Sequence, residues 1–96
     1  MTLEEAIAEV SVDIIGALRK HGIKGLKCSP KLCPIAELLS KMVGQRVRVG
    51  KFYATGDETT TLPHLVELPS SIVKFILEFD CGDHNEFFGI YRASTT

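Results

Sequence analysis

The residues best equipped for chemistry in this chain are Cys28, Cys33, Cys81 and His84. The stretch "KCSPKLCP" holds a Cys-x4-Cys pair and "CGDH" a Cys-x2-His pair, together four ligands of acceptable type for a tetrahedral structural zinc. Neither half has the compact Cys-x2-Cys knuckle, and the chain has enough apolar residues to fold without a metal. A redox use would rest on Cys33 at a helix start, where the dipole and the nearby Lys27 and Lys31 favour a thiolate, with Cys28 as resolving partner. The Cys-x-x-Cys spacing of thioredoxin-like sites is missing. Cys33 or Cys81 can be combined on paper with His21, His64 or His84 as nucleophile and base, but no nucleophile signature surrounds them. No phosphate-binding glycine loop, HExxH or framed carboxylate pair is present either. The expectation is therefore a protein that is not an enzyme and needs no cofactor, in which Cys33 opens a helix and Cys81 fills space at the end of another.

Two further groups of residues point to binding. Arg46, Arg48 and Lys51 lie on a predicted hairpin and would project a basic ribbon, an arrangement distantly like the wing of a winged helix and suited to nucleic acid. Alternating Arg on one face of a strand is equally how a half-buried sheet keeps a wet side. The tail "EFFGIY" places Phe87, Phe88 and Tyr91 close together, more apolar surface than a small core readily absorbs. It either packs back on the core or meets a protein partner, with a two-fold homodimer as the default arrangement.

Charge weighs between these readings. The first 18 residues carry four acids and no base. Residues 19 to 51 hold nine of the eleven bases against the single acid Glu37, and the remainder is acidic again. Such a block either forms a basic face or folds against the acidic blocks and cancels, and the second outcome is favoured. The absence of a bilayer-length apolar run or a signal-like start, with an odd cysteine count, places the chain in the cytoplasm and not at a membrane.

The elements that must position these residues can be read along the chain. Thr2 and Glu5 form a capping-box pattern, and Leu3, Ile7, Val10, Ile14 and Leu18 then recur on one face, predicting one helix of about four turns ended near Gly22. Pro34 suits the first position of a second helix, with Ile35, Leu38, Leu39, Met42 and Val43 on its apolar face and Gly44 as its stop. "QRVRVGKFYAT" reads as one strand. "GDETT" is a turn, and "TLPHLVEL" a second strand placed at an edge by Pro63, the two strands pairing as a hairpin. "LPSSIVKFILEFDCGD" is a third helix with Ile72, Phe75, Ile76 and Phe79 inward. The result is a single α+β domain over residues 1–96, ordered α-α-β-β-α, with three amphipathic helices packed on a small antiparallel sheet. Val47, Val49 and Val66 complete the expected core.

"CPIAELL" opening a helix, "VRVG" on a strand and "LPSSIVKFILEFDCG" with its Leu-Pro and Phe-x-x-x-Phe-Asp resemble a group of small uncharacterised proteins of actinobacteria and their phages, over about residues 20 to 88. The resemblance implies a shared fold and brings no activity with it. Its pattern centres on Cys33-Pro34 without requiring Cys28 or Cys81, which argues against a four-ligand zinc. The functional expectation is a small non-enzymatic cytoplasmic module, phage-encoded if the resemblance holds, that binds protein or itself through Phe87, Phe88 and Tyr91. The alternatives are nucleic-acid binding through Arg46, Arg48 and Lys51, or a zinc- or redox-dependent domain using Cys28, Cys33, Cys81 and His84.

Overall fold

A computed structural model describes residues 2–29, 32–56 and 65–89. It is an α+β fold in which helices α1 (Leu3–Val12), α2 (Ile14–Lys20) and α3 (Pro34–Val43) precede strands β1 (Val47–Val49), β2 (Tyr53–Gly56) and β3 (Val66–Glu67). Helix α4 (Ser70–Asp80) and a 3-10 turn at Asn85–Phe87 follow. The sheet is an antiparallel meander in the order β1-β2-β3.

The long first helix expected from the sequence is two helices. The capping box at Thr2 is present, with Glu5 N–H donating to Thr2 Oγ1 at 3.1 Å and Thr2 N–H donating to Glu5 Oε1 at 2.9 Å. At Asp13 the backbone leaves the helical region (φ −153°, ψ 83°), and the Asp13 carboxylate accepts the Gly16 N–H at 3.0 Å to cap α2. Aspartate competes well for a free helix amide, and the β-branched neighbours Val12, Ile14 and Ile15 weaken continuation through this point. A Cβ at Gly16 would fall on the Asp13 carboxylate as it is placed here, so a side chain at this position requires the carboxylate to shift. Asp13→Ala is expected to lower stability by about 0.5–2 kcal/mol, measurable as a lower urea midpoint. An unchanged midpoint would mean that the break at residue 13 is held by packing alone.

Helix α3 begins and ends as its sequence predicts, with Cys33 at the N-cap, Pro34 in the first turn and Gly44 in the left-handed region (φ 84°). Ser40 joins this helix to the sheet, since its Oγ accepts the Val47 N–H at 2.9 Å and so satisfies an edge donor of β1. Glu37, which the apolar pattern leaves outside the core face, is instead buried, and Arg46 reaches it at 2.7 Å.

The expected single strand over "QRVRVGKFYAT" folds on itself. Gly50 N–H donates to the Tyr53 carbonyl at 2.8 Å, leaving Lys51 and Phe52 as a two-residue turn, so β1 and β2 form the hairpin. β2 then pairs with β3 through Tyr53 opposite Glu67 and Ala54 opposite Val66. The turn shifts the inward phase from odd to even positions, so that Val47, Val49 and Ala54 are buried while Arg48 and Tyr53 face out. Gly56, the first residue of the expected "GDETT" turn, belongs to β2; residues 57–64, with Pro63, lie outside the described residues.

Helix α4 ends in a Schellman motif: Gly82 (φ 108°) N–H donates to the Phe79 carbonyl and Asp83 N–H to the Glu78 carbonyl. The chain then turns back through His84 (φ 58°) and drives Phe87 into the core. One cluster of buried residues joins all four helices and the sheet, including Ile7, Val10, Leu18, Ile35, Leu38, Leu39, Val47, Ile72 and Phe79. Ile14, Met42 and Val66 pack on its margin. Among the described residues no helix is long and apolar enough to cross a membrane.

Candidate interaction surface

The cysteines and His84 are held by different parts of the fold and for different reasons. Cys33 is buried at the start of α3, where its Sγ accepts the Ala36 N–H at 3.3 Å. Burial pushes its thiol from an ordinary 9.0 up to about 11, outweighing the helix-start amides that act the other way. Desolvation thus reverses the thiolate activation expected from the dipole. Cys28 is exposed in the left-handed region (φ 54°), with its N–H donating to Asp80 Oδ1 at 2.9 Å. Cys81 is exposed at the end of α4. His84 stacks on Phe75 with centroids 4.7 Å apart, and its Nε2 lies 2.8 Å from Glu78 Oε1.

The structure does not bring Cys28, Cys33, Cys81 and His84 together, and among the described residues no three His, Cys, Asp or Glu side chains gather as a metal site. Cys28 and Cys33 do share a small open cavity of about 280 Å³, lined also by Val49, Lys51, Ile76 and Asp80. All three thiols are free. With iodoacetamide at about pH 8, Cys28 and Cys81 should be alkylated in the folded protein while Cys33 resists until unfolding, read by peptide mass spectrometry. Because the raised thiol holds its proton in the folded state, its stabilising effect is complete below about pH 9 and is lost as pH rises toward about 11. Cys33→Ala should flatten that alkaline slope. Rapid native labelling of Cys33 would overturn this account.

Several bases of the block have partners within the fold. Arg19 makes a two-bond pair with Glu86 (2.8 and 3.0 Å), which holds the Glu86 carboxyl below its ordinary range. Lys24 Nζ donates to the Glu86 carbonyl, Lys41 Nζ to that of His21, and Lys27 Nζ stands 4.9 Å from the centre of the Phe88 ring. With Arg46 paired to Glu37, the expected ribbon of Arg46, Arg48 and Lys51 is reduced to the exposed Arg48 and Lys51.

The tail divides in the same way. Phe87 is a core residue at 3 % exposure, its ring 6.3 Å from that of Phe75. This corrects its expected place on an interaction surface: the 3-10 turn aims it inward, and the following residue outward. Phe88 is 49 % exposed, with one side against Phe79 at 6.4 Å. Tyr91 lies outside the described residues. The segment is docked by Gly25, whose N–H donates to the Phe87 carbonyl at 2.8 Å and whose carbonyl accepts the Gly89 N–H at 2.9 Å.

Sequence reasoning missed the outer face of the sheet. Tyr53 (48 %) and Leu65 (60 %) are exposed on it, with Arg48 and Glu67, and Phe52 (55 %) stands in the turn at its end. The sequence signal was Gly50, which interrupts the Val47, Val49 alternation and so sends Tyr53 to the solvent side. Among the described residues, those exposed and able to contact a partner include Arg48, Tyr53 and Leu65 on the sheet, Lys51 and Phe52 in the turn, and Phe88 beside α4; Val12, Leu32 and Leu77 are exposed elsewhere. Comparison with protein-family models, curated proteins and solved structures gives no match to this chain.

Proposed function

We propose that the protein is a small non-enzymatic cytoplasmic module that acts by binding protein, itself included. The supporting observation is the outer face of the sheet, where Tyr53 and Leu65 stand exposed, with the exposed turn residue Phe52 next to Tyr53. Exposed aromatic residues on a rigid element are the usual anchors of protein interfaces, since their burial removes a large apolar area from water at small cost in side-chain entropy. Phe88 offers a second, smaller anchor. Light-scattering mass after size exclusion, in low and high salt with the 260/280 nm absorbance ratio recorded, tests this reading. A protein-only complex weakened by Tyr53→Ala or Phe88→Ala supports it.

A second reading is favoured by one observation, the exposure of Arg48 and Lys51 next to the Phe52 and Tyr53 rings. Cations beside stacking surfaces suit single-stranded nucleic acid. On that reading the eluting peak carries nucleic acid and sheds it in high salt, and Arg48→Glu abolishes the complex.

A further inference from the structure

Two of the three free thiols line one cavity, and the fold gives them opposite exposure. Cys28 is open to solvent, while Cys33 is buried at the start of α3. The backbone ties the pair closely, since Cys33 N–H donates to the Ser29 carbonyl and Leu32 N–H to Ser29 Oγ, each at 3.1 Å. The residue after Cys28 is thus bonded to Cys33 itself. Cys28 holds a conformation (φ 54°) that residues with a Cβ seldom adopt, and its N–H is anchored on Asp80 of α4. Cys81, exposed at the end of α4, does not line this cavity.

We infer that Cys28 and Cys33 are a peroxide-sensitive pair, in which Cys28 is oxidised first and Cys33 closes the disulfide from inside the fold. These roles are the reverse of those that the helix start alone suggests. In the first step the Cys28 thiolate attacks one oxygen of hydrogen peroxide. The O–O bond breaks, Cys28 becomes a sulfenic acid, and the departing hydroxide takes up a proton to give water. In the second step the Cys33 sulfur attacks the Cys28 sulfur. The S–O bond breaks, and the Cys33 proton leaves with the hydroxide as a second water. The two thiols lose two electrons and two protons, and one peroxide takes them up.

Only Cys28 has to meet the oxidant in solution. Cys33 reaches the sulfenic acid within the cavity that both residues line, so burial that shuts out an alkylating agent does not shut out this reaction. The same burial keeps Cys33 protonated and makes the second step the slower one. A disulfide needs the two Cα atoms within about 7 Å, a reach that the Ser29–Cys33 hydrogen bond favours. The bond would fasten the Asp80-anchored segment to the N-cap of α3, beside Val49 and Lys51 of the hairpin, and a thiol reductant would release it.

The test is oxidation of the folded chain by a small excess of hydrogen peroxide, followed by unfolding in alkylating agent and digestion with trypsin. Trypsin cuts after Lys27, Lys31 and Lys41, so the two cysteines fall in separate peptides, 28–31 and 32–41. Mass spectrometry should find these two joined, and separate again after dithiothreitol. In a parallel sample containing dimedone, which captures sulfenic acids, wild type should carry the adduct on Cys81 and several-fold less on Cys28. In Cys33→Ser the adduct on Cys28 should rise to the level of Cys81. Serine keeps an acceptor at the N-cap, so this variant should fold, and circular dichroism checks that it does.

A Cys28 adduct that Cys33→Ser leaves unchanged overturns the pair, as does a Cys28 that peroxide does not oxidise in either protein. Peptides that join Cys28 to Cys81, or one chain to another, in place of Cys28 to Cys33 overturn it as well. The protein-binding reading stands or falls separately, on the response of a complex to Tyr53→Ala or Phe88→Ala under reducing conditions.

Discussion

Phe75→Ala is expected to cost about 3–5 kcal/mol of folding free energy. Phe75 is 4 % exposed at the middle of α4, with the rings of Phe79 and Phe87 each 6.3 Å away and His84 stacked at 4.7 Å. Truncation opens a void bounded on three sides by rings whose backbones belong to α4 and to the turn after it, so partial collapse cannot refill it. It also removes the surface that seats the imidazole of His84 against Glu78. For a domain of this size the loss is a large part of total stability, which is about 5–15 kcal/mol. The thermal midpoint should fall by at least about 12 °C. Phe88→Ala is the control: its ring is half exposed, and the change should not exceed about 1 kcal/mol. Equal effects at the two positions would show that the core does not centre on α4 and the 3-10 turn.

The second large effect is expected at a residue with no side chain. A Cβ on Gly25 would stand within 3.0 Å of backbone atoms of Leu32, Cys33 and Pro34. Backbone on that side cannot rotate away as a side chain would. On its other side Gly25 exchanges two hydrogen bonds with Phe87 and Gly89, and the next residue, Leu26, donates to the Leu32 carbonyl at 2.7 Å. The segment is thus fixed between the start of α3 and the docked tail. Gly25→Ala must displace one of them, at a cost of about 2–3 kcal/mol. Urea denaturation gives the magnitude, and amide exchange shows where it falls: the Gly89 and Leu26 amides should lose protection before those of α1. A variant within about 0.5 kcal/mol of wild type would mean that the approach of residues 32–34 to Gly25 is looser than the structure has it.

The helices were legible wherever one local signal acted alone. Pro34 and Gly44 bound α3 because proline suits the first turn and glycine the left-handed stop, and the Thr2–Glu5 capping box is a matter of four adjacent residues. Asp13 was harder to read, because its effect depends on whether the apolar stripe through Ile14 and Leu18 belongs to the same helix or to one rotated against it. The periodicity of a broken helix and of a continuous one differ little over two turns. In the sheet, Gly50 decides a phase: it is a minor residue in a strand pattern, yet the turn that follows it exchanges inside for outside at every later position of β2.

The candidate surface was legible only in part for the same reason. Phe87 and Phe88 are adjacent and chemically identical, and nothing local separates them. The 3-10 turn Asn85–Phe87, docked on Gly25, sends one ring to Phe75 and leaves the other half exposed. Arg46 and Arg48 likewise share a strand face in the pattern. Arg46 sits just before β1, within reach of Glu37 on α3, while Arg48 is carried beyond it.

By itself, then, the sequence determined the α+β class, the helix ends at Thr2, Pro34, Gly44 and Gly82, and the inward faces of α1, α3 and α4, because capping and periodic burial act over a few residues. Only the tertiary structure decided which charges are cancelled, which cysteine is sealed, and which aromatic residues remain for a partner. Those outcomes depend on residues far apart in the chain, such as Arg19 with Glu86 and Gly25 with Phe87, coming to lie against one another.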